Sequence, residues 1–336
     1  MKKLTTSQMT AAGAVAALVV AGAAWLGLSS YAASVAEEGI TEALTKIDIP
    51  RSSYSWSSLS SSPLGGVITI KEFKLDHDTS SGRGYRYASF HADRLVLKGF
   101  NNESLPEEAS ILLEGVEIPS VTIDERERNN LKRVIDNSPL MALAASSGRS
   151  SLAPFDLQLE WKMDDESVTL SWATTQPELL RAGGTQLITG PIARLRTLLT
   201  PDNIAATPGL ALFGEVGEAA SQLGLSEIEL ELEELGAMER ANRLRTRYEI
   251  ANGRAENSEE SHAGFMTETR SLCERDLQAA FINDDACERL AEFAAAERDS
   301  LQFSASGTSP LTFDEFMMLD RRGPEYLRTE FKPKLK

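Results

Sequence analysis

The sequence predicts an α+β protein in which an N-terminal transmembrane helix precedes a curved, mainly antiparallel β-sheet with helices packed on it. Three observations support this class. No charged residue lies between Lys3 and Glu37, several later segments alternate apolar and polar residues with a period of two, and apolar stripes of helical spacing separate those segments. Apolar residues make up 42% of the chain and charged residues 25%, which is the composition of a folded protein.

The first element is an apolar helix over residues 10–32. At about 1.5 Å per residue, such a helix crosses a hydrocarbon core of roughly 30 Å. Lys2 and Lys3 precede the helix, so the positive-inside rule predicts a cytoplasmic tail over residues 1–9 and places the rest of the chain outside. A cleaved signal peptide is the alternative interpretation, because residues 34–36 are small. In both cases the bulk of the chain is exported.

A helical neck and a serine-rich connection are expected over residues 33–62, before an α+β domain over 63–336. Three long segments at the start of that domain have the pattern of strands, at residues 67–77, 85–100 and 110–123.

The apolar positions change phase within two of these segments, from Ile70 to Phe73 and from Leu113 to Val116. One extra residue moves the following side chains to the other face of a strand. We therefore expect β-bulges near residues 71–72 and 114–115 that bend the sheet toward a half-barrel or groove.

A β-hairpin follows in the middle of the chain. Residues 157–163 and 168–173 alternate apolar and polar side chains on either side of the turn-forming residues 164–167. Side chains two apart share a face, so Trp161 and Trp172 are expected on the apolar face of this hairpin.

A second strand pair is predicted from residues 228–232 and 244–250, which also alternate. Antiparallel pairing of these segments would place glutamates opposite Arg243, Arg245 and Arg247. We interpret the arginines as a device that sets the register, with an anion-binding site as the alternative.

Helices are expected between the strands. Prolines at first-turn positions open helices after Ser138, after Gly190 and after Thr207, and each carries an apolar stripe. Gly183-Gly184 lacks a following lysine, so it is interpreted as a loop and not as a phosphate-binding motif.

The two cysteines, Cys273 and Cys287, are expected to form a disulfide, because an exported chain folds in an oxidising environment. They lie in two helical patterns that would form a C-terminal helical hairpin over residues 264–298. Closing a loop of about 15 residues stabilises a fold by roughly 3 kcal/mol. A nucleophilic or redox cysteine is the alternative interpretation, but no catalytic motif surrounds the three histidines.

Composition and motifs exclude several functions. The net charge of −16 argues against nucleic acid as a partner, since phosphates require a basic face. The chain contains no metal-binding, phosphate-binding or hydrolase motif, so we expect neither a metal, a cofactor nor an enzyme.

The N-terminal order resembles that of AsmA-like and YdgA-like envelope proteins of Gram-negative bacteria. The order consists of a lysine-flanked anchor, a neck ending at Pro50, and Ser-Pro-Leu-Gly-Gly-Val-Ile-Thr-Ile at residues 62–70. The tail is similar too, with a helix around Cys287 followed by a strand from Ser300. The resemblance implies an inner-membrane protein whose periplasmic sheet curves around an apolar interior and which is linked to envelope lipid homeostasis. It implies no catalytic residues.

Two functions are expected from these observations. The first is a module that binds a lipid or an acyl chain in a groove lined by Leu157, Leu159, Trp161, Leu170, Trp172, Ile228, Leu230 and Leu232. The same residues are also the expected core if helices cover them. The second is a non-catalytic scaffold or assembly partner of an envelope complex, held at the inner membrane by its N-terminal helix.

Overall fold

The computed structural model describes residues 37–38, 40–41, 44–45, 49–61, 66–78, 87–99, 106–117, 139–149, 152–200, 203, 206, 209–312, 315 and 323–336. The predicted anchor over residues 10–32 lies outside this set. Within it, no helix is both long enough and apolar enough to cross a membrane.

Two compact units are built from interleaved segments of the chain. The first consists of Met1–Thr122, Asp156–Met163 and Ala193–Val216, and the second of Ile123–Phe155, Asp164–Ile192 and Gly217–Lys336. Both units contain strands and helices, and every strand pair whose register is defined is antiparallel. The predicted α+β class and the antiparallel sheet are therefore confirmed.

Six strands lie in the described residues of the first unit. They are β1 (Tyr54–Ser55), β2 (Ser58–Ser61), β3 (Val67–Asp78), β4 (Tyr87–Lys98), β5 (Glu108–Val116) and β6 (Phe155–Met163). Both β1 and β2 pair with β3, and β4, β5 and β6 follow in sheet order. The two short strands thus form one edge of this sheet.

The apolar side chains of β3 change phase as predicted. Ile70 is buried and pairs with Leu95, whereas the next buried side chain of β3 is Phe73, an odd number of residues away. The strands β3 and β4 keep one register across this point, because Lys71 pairs with Arg94 and Phe73 with Ala92. No residue is inserted in β3 relative to β4, so the prediction of a β-bulge near residues 71–72 is wrong.

The alternation of buried and exposed side chains changes phase instead at one level of the sheet, which β3, β4 and β5 share. Glu72 on β3 has a φ of 52°, Gly115 on β5 has a φ of 61°, and neither belongs to a registered pair. Asp93 on β4 lies between them and is also unpaired. The register of β4 with β5 is likewise the same on both sides, since His91 bridges Glu117. In all three strands, the side chains that follow this level therefore point to the opposite face from the one that the alternation before it predicts.

Five strands lie in the part of the second unit that the structure describes. They are β7 (Ser167–Gln176), β8 (Leu180–Thr189), β9 (Gly224–Glu234), β10 (Ser300–Thr312) and β11 (Lys334–Leu335), and they lie side by side in chain order. Strand β9 pairs with β8 on one side and with β10 on the other.

Seven α-helices have both of their ends within the described residues. They are α1 (Pro139–Ser146), α2 (Ile192–Leu198), α3 (Gly209–Ser221), α4 (Ala237–Ala251), α5 (Ser258–Asp276), α6 (Ala286–Ala294) and α7 (Pro324–Glu330).

The strand predicted at residues 244–250 is wrong, because this segment belongs to helix α4. The Glu234 carboxylate accepts hydrogen bonds from the backbone N–H groups of Gly236 and Met238 and so caps the start of the helix. Ala237 is fully buried against Ala144 and Leu179. These tertiary contacts outweigh the local alternation of apolar and charged residues.

The loop predicted at Gly183-Gly184 is also wrong, because both glycines lie in the middle of β8. Gly184 pairs with Trp172 on β7. A Cβ atom at Gly184 would lie 2.7 Å from Leu230 Cδ2 and 3.2 Å from Trp172 Nε1. Glycine is therefore required in this strand because two large neighbouring side chains occupy the space of its missing side chain.

The predicted disulfide is confirmed. Cys273 on α5 and Cys287 on α6 are bonded, with their Cα atoms 5.4 Å apart. Both cysteines are buried, and the first helix of this hairpin begins at Ser258, earlier than residue 264.

Candidate functional site

The β7–β11 sheet brings together five of the eight residues predicted to line a groove. Across β7, β8 and β9, Leu170 is in line with Ile228 through Gln186, and Trp172 is in line with Leu230 through Gly184. Leu232 lies two residues beyond Leu230. Because residues two apart on a strand share a face, all five lie on one side of the sheet, which we name the apolar face.

Helices and the C-terminal segment of the same unit cover part of the apolar face. Leu232 packs against a cluster of Ala286, Phe293, Leu301 and Leu335. Ile228 packs against a second cluster, formed by Ala305, Leu311 and Phe331. These two predicted groove residues therefore contribute to the hydrophobic core of the second unit.

The remaining residues of the predicted groove differ in exposure. Leu170 is buried, whereas Trp172 and Leu230 are half-buried and lie outside both clusters. In the first unit, Trp161 is buried, and its Nε1 donates a hydrogen bond to the Pro106 carbonyl oxygen at 3.3 Å. Leu157 and Leu159 on β6 are half-buried.

The opposite side of the β7–β11 sheet, which we name the polar face, carries small and charged side chains. Four glutamates alternate along β9 on this face, at Glu227, Glu229, Glu231 and Glu233. Glu229 is flanked by Thr185 on β8 and by Ser304 on β10, and Glu231 is flanked by Gly183 and by Gln302. Lys334 and Lys336 are placed beyond β10.

An open groove of about 370 Å³ lies on this sheet. It is lined by Ser171, Trp172, Gly183, Gly184, Thr185, Glu229, Leu230, Glu231, Gln302, Phe303, Ser304 and Lys336. A Cβ atom at Gly183 would lie 3.3 Å from Trp172 O and 4.0 Å from Ala173 Cα and Cβ, so its nearest neighbours are backbone atoms and one methyl group. The small residues of β7 and β8 thus line the groove beside the carboxylates of β9.

The carboxylates of the polar face differ in their partners. Glu233 forms an ion pair with Arg181, and Glu231 accepts a hydrogen bond from Gln302 Nε2 at 3.3 Å. Glu227 and Glu229 make no ion pair with any described residue. Besides the Lys336 side chain, the groove therefore offers hydroxyl and amide groups and a Glu229 carboxylate without an ion-pair partner among the described residues, a combination suited to a hydrogen-bonding partner that carries positive charge.

The described residues show no group of three histidine, cysteine, aspartate or glutamate side chains that could hold a metal ion. Elsewhere in the unit, the turn before β7 is ordered by Asp164, whose carboxylate accepts hydrogen bonds from the backbone N–H groups of Glu166 and Ser167. These hydrogen bonds stabilise the charged form and lower the pKa of Asp164.

The sequence contains one signal for the polar face that the sequence-based interpretation missed. The predicted pairing of the glutamates at residues 227–233 with an arginine strand is wrong, because Arg243, Arg245 and Arg247 lie in helix α4. The neighbours of these glutamates are β8 and β10, whose side chains on this face are mostly small or uncharged. On this face, the small residues Gly183 and Thr185 therefore lie beside the glutamates of β9.

Comparison with known proteins adds no relative. No protein-family model matches the chain, and no curated protein matches it.

Proposed function

We propose that this chain is a non-catalytic envelope protein that binds a partner through the polar face of the β7–β11 sheet. One observation carries the proposal. Residues of the same unit cover the apolar face at Ile228 and Leu232, whereas the polar face holds an open groove with the Glu229 carboxylate, which forms no ion pair with any described residue. A partner that presents lysine or arginine would complement this surface.

Support for an envelope location comes from two features. Lys2 and Lys3 followed by an apolar stretch have the pattern of a signal anchor. The Cys273–Cys287 disulfide is typical of an oxidising compartment such as the periplasm. The resemblance to AsmA-like and YdgA-like proteins agrees with both features.

The proposal is tested by binding of a model basic peptide to the full chain in detergent. A fluorescent peptide of alternating lysine and serine places its charges about 7 Å apart when extended, close to the spacing of alternate glutamates along β9. We expect the double variant Glu229→Gln and Glu231→Gln to raise the Kd by about tenfold, which is roughly 1.4 kcal/mol.

The matched control has the same net charge. Glu256→Gln combined with Glu274→Gln removes two exposed glutamates that are far from the groove in sequence and do not line it. If the two double variants raised the Kd of the peptide equally, binding would depend only on the net charge of the protein. The proposed binding surface would then be wrong.

Lipid binding remains a second candidate because of Trp172. Its indole packs over Gly184 next to Leu230, and neither Trp172 nor Leu230 belongs to the two clusters that cover the apolar face. Native mass spectrometry of the purified chain would reveal a copurifying lipid. Quenching by a brominated lipid that is lost in Trp172→Leu would favour this function, and absence of lipid in both measurements would exclude it.

A further inference from the structure

A second concave site lies between α4 and α5, away from the polar face. It is an open, solvent-exposed depression of about 570 Å³, which we name the α4–α5 cavity. Its lining consists of Glu239, Asn242, Arg243, Thr246, Arg247, Ser258, Glu259, His262, Ala295 and Ala296. All of these residues belong to the second unit.

The arginine row of the sequence is divided by the geometry of α4. Glu239, Arg243 and Arg247 are four residues apart in turn, so they lie on one face of the helix, and that face lines the cavity. Arg245 is on a different face, where its Cζ lies 3.8 Å from the centroid of the Phe265 ring. Its partial burial there lowers the pKa of the guanidinium.

The charged groups of the cavity are partly paired with each other. Arg243 forms an ion pair with Glu239, and His262 Nε2 lies 2.7 Å from Glu297 Oε1. Among the described residues, neither Arg247 nor Glu259 has an ion-pair partner. The cavity therefore presents one unpaired positive group on α4 and one unpaired negative group on α5.

We propose that this cavity binds a zwitterionic small molecule, with its carboxylate at Arg247 and its ammonium group at Glu259. A simple anion would meet Arg247 but would also face Glu239 and Glu259. A simple cation would meet Glu259 but would face both arginines. Like charges in close contact are costly, so only a ligand that carries both signs satisfies the site. The planar guanidinium binds a carboxylate through two parallel hydrogen bonds.

A series of probes tests the preference for two charges. Glycine, 4-aminobutyrate and 6-aminohexanoate carry the same two groups at increasing separation, and acetate and ethylammonium carry one group each. Ligand-detected NMR titrations with the full chain in detergent, at constant ionic strength, should show at least one amino acid binding at least about tenfold more tightly than either single-charge probe. Acetate or ethylammonium binding equally well would overturn the proposal, and so would a lack of binding by every amino acid.

Two variants test which residue binds the carboxylate and which binds the ammonium group of the ligand. Arg247→Gln should raise the Kd of the best amino acid about tenfold and abolish its advantage over ethylammonium. Glu259→Gln should raise the Kd by a similar factor and abolish the advantage over acetate. Arg254→Gln, an exposed arginine that does not line the cavity, should leave all affinities unchanged. If Arg254→Gln weakened binding as much as Arg247→Gln, with unchanged circular dichroism for both, the assignment would be wrong.

Discussion

Gly183 and Gly184 are neighbours on β8 but face opposite sides of the sheet. A Cβ atom at Gly184 would lie 2.6 Å from Glu229 O and 2.7 Å from Leu230 Cδ2, whereas the nearest atom to one at Gly183 would be Trp172 O at 3.3 Å. We expect Gly184→Ala to destabilise the protein by about 1–3 kcal/mol, the usual cost of overpacking.

The matched variant is Gly183→Ala. Because alanine is less costly than glycine within a strand, this substitution should change the free energy of unfolding by less than about 1 kcal/mol. Urea unfolding of both variants checks the difference. Equal effects would contradict the assignment of the two glycines to different faces.

Asp285 holds the start of α6 through hydrogen bonds from Arg289 and Asn283. The hydrogen bond from Arg289 is the main reason that the pKa of Asp285 is lowered, with Asn283 as the second contributor. A lowered pKa in the folded state stabilises the protein above the ordinary pKa of aspartate, near 4, and this stabilisation is lost as the pH falls through the folded-state value.

Asp285→Asn should therefore lower the urea midpoint at pH 7, and the gap from the unsubstituted protein should close below about pH 4. Unfolding midpoints measured from pH 2 to pH 7 check this expectation. A gap that stayed constant over the whole range would show that the carboxylate contributes through shape and not through charge.

Helices α5 and α6 depend on each other because Cys273 and Cys287 join them. The covalent link closes a loop with a sequence separation of 14 residues. Its loss should destabilise the protein by roughly 3 kcal/mol, chiefly because the unfolded chain regains freedom.

Cys273→Ser, Cys287→Ser and the double variant should then show similar unfolding midpoints under oxidising conditions. Dithiothreitol should lower the midpoint of the unsubstituted protein and leave that of the double variant unchanged. A double variant as stable as the oxidised protein would contradict this role of the disulfide.

Strands that bury one face were predictable from the sequence. The alternation over residues 157–163, 168–173 and 228–232 corresponds to β6, β7 and β9, because each of these strands has one apolar side. Strand β8 was missed because its central glycines have the pattern of a loop. Their role becomes visible only when Trp172 and Leu230 are known to be neighbours.

Helix α4 shows the limit of alternation as a signal. Leu244 and Tyr248 are four residues apart, a spacing that fits a helix as well as a strand. The deciding contacts involve Ala144 and Leu179, which are distant in sequence. For the same reason, the cover of Leu232 by Phe293 and Leu335 could not be derived from local patterns.

At the scale of the whole molecule, the N-terminal segment is expected to determine where the protein resides. Deletion of residues 2–32 should move the protein from the membrane fraction to the soluble fraction of the producing cells, because the proposed anchor is removed. The cysteines of the deletion variant should become reactive toward maleimide, since the cytosol keeps thiols reduced. Retention of this variant in the membrane fraction would contradict the proposed anchor.

The row of Glu72, Asp93 and Gly115 has a consequence for how related chains can vary in length. Removing one residue at this level from β3 alone would shift the pairing of everything beyond it with β4. Removing one residue from each of β3, β4 and β5 would keep every pair among these three strands and restore uninterrupted alternation in them. Descendants of one ancestral gene should therefore gain or lose a codon at this level in all three strands together, or in none.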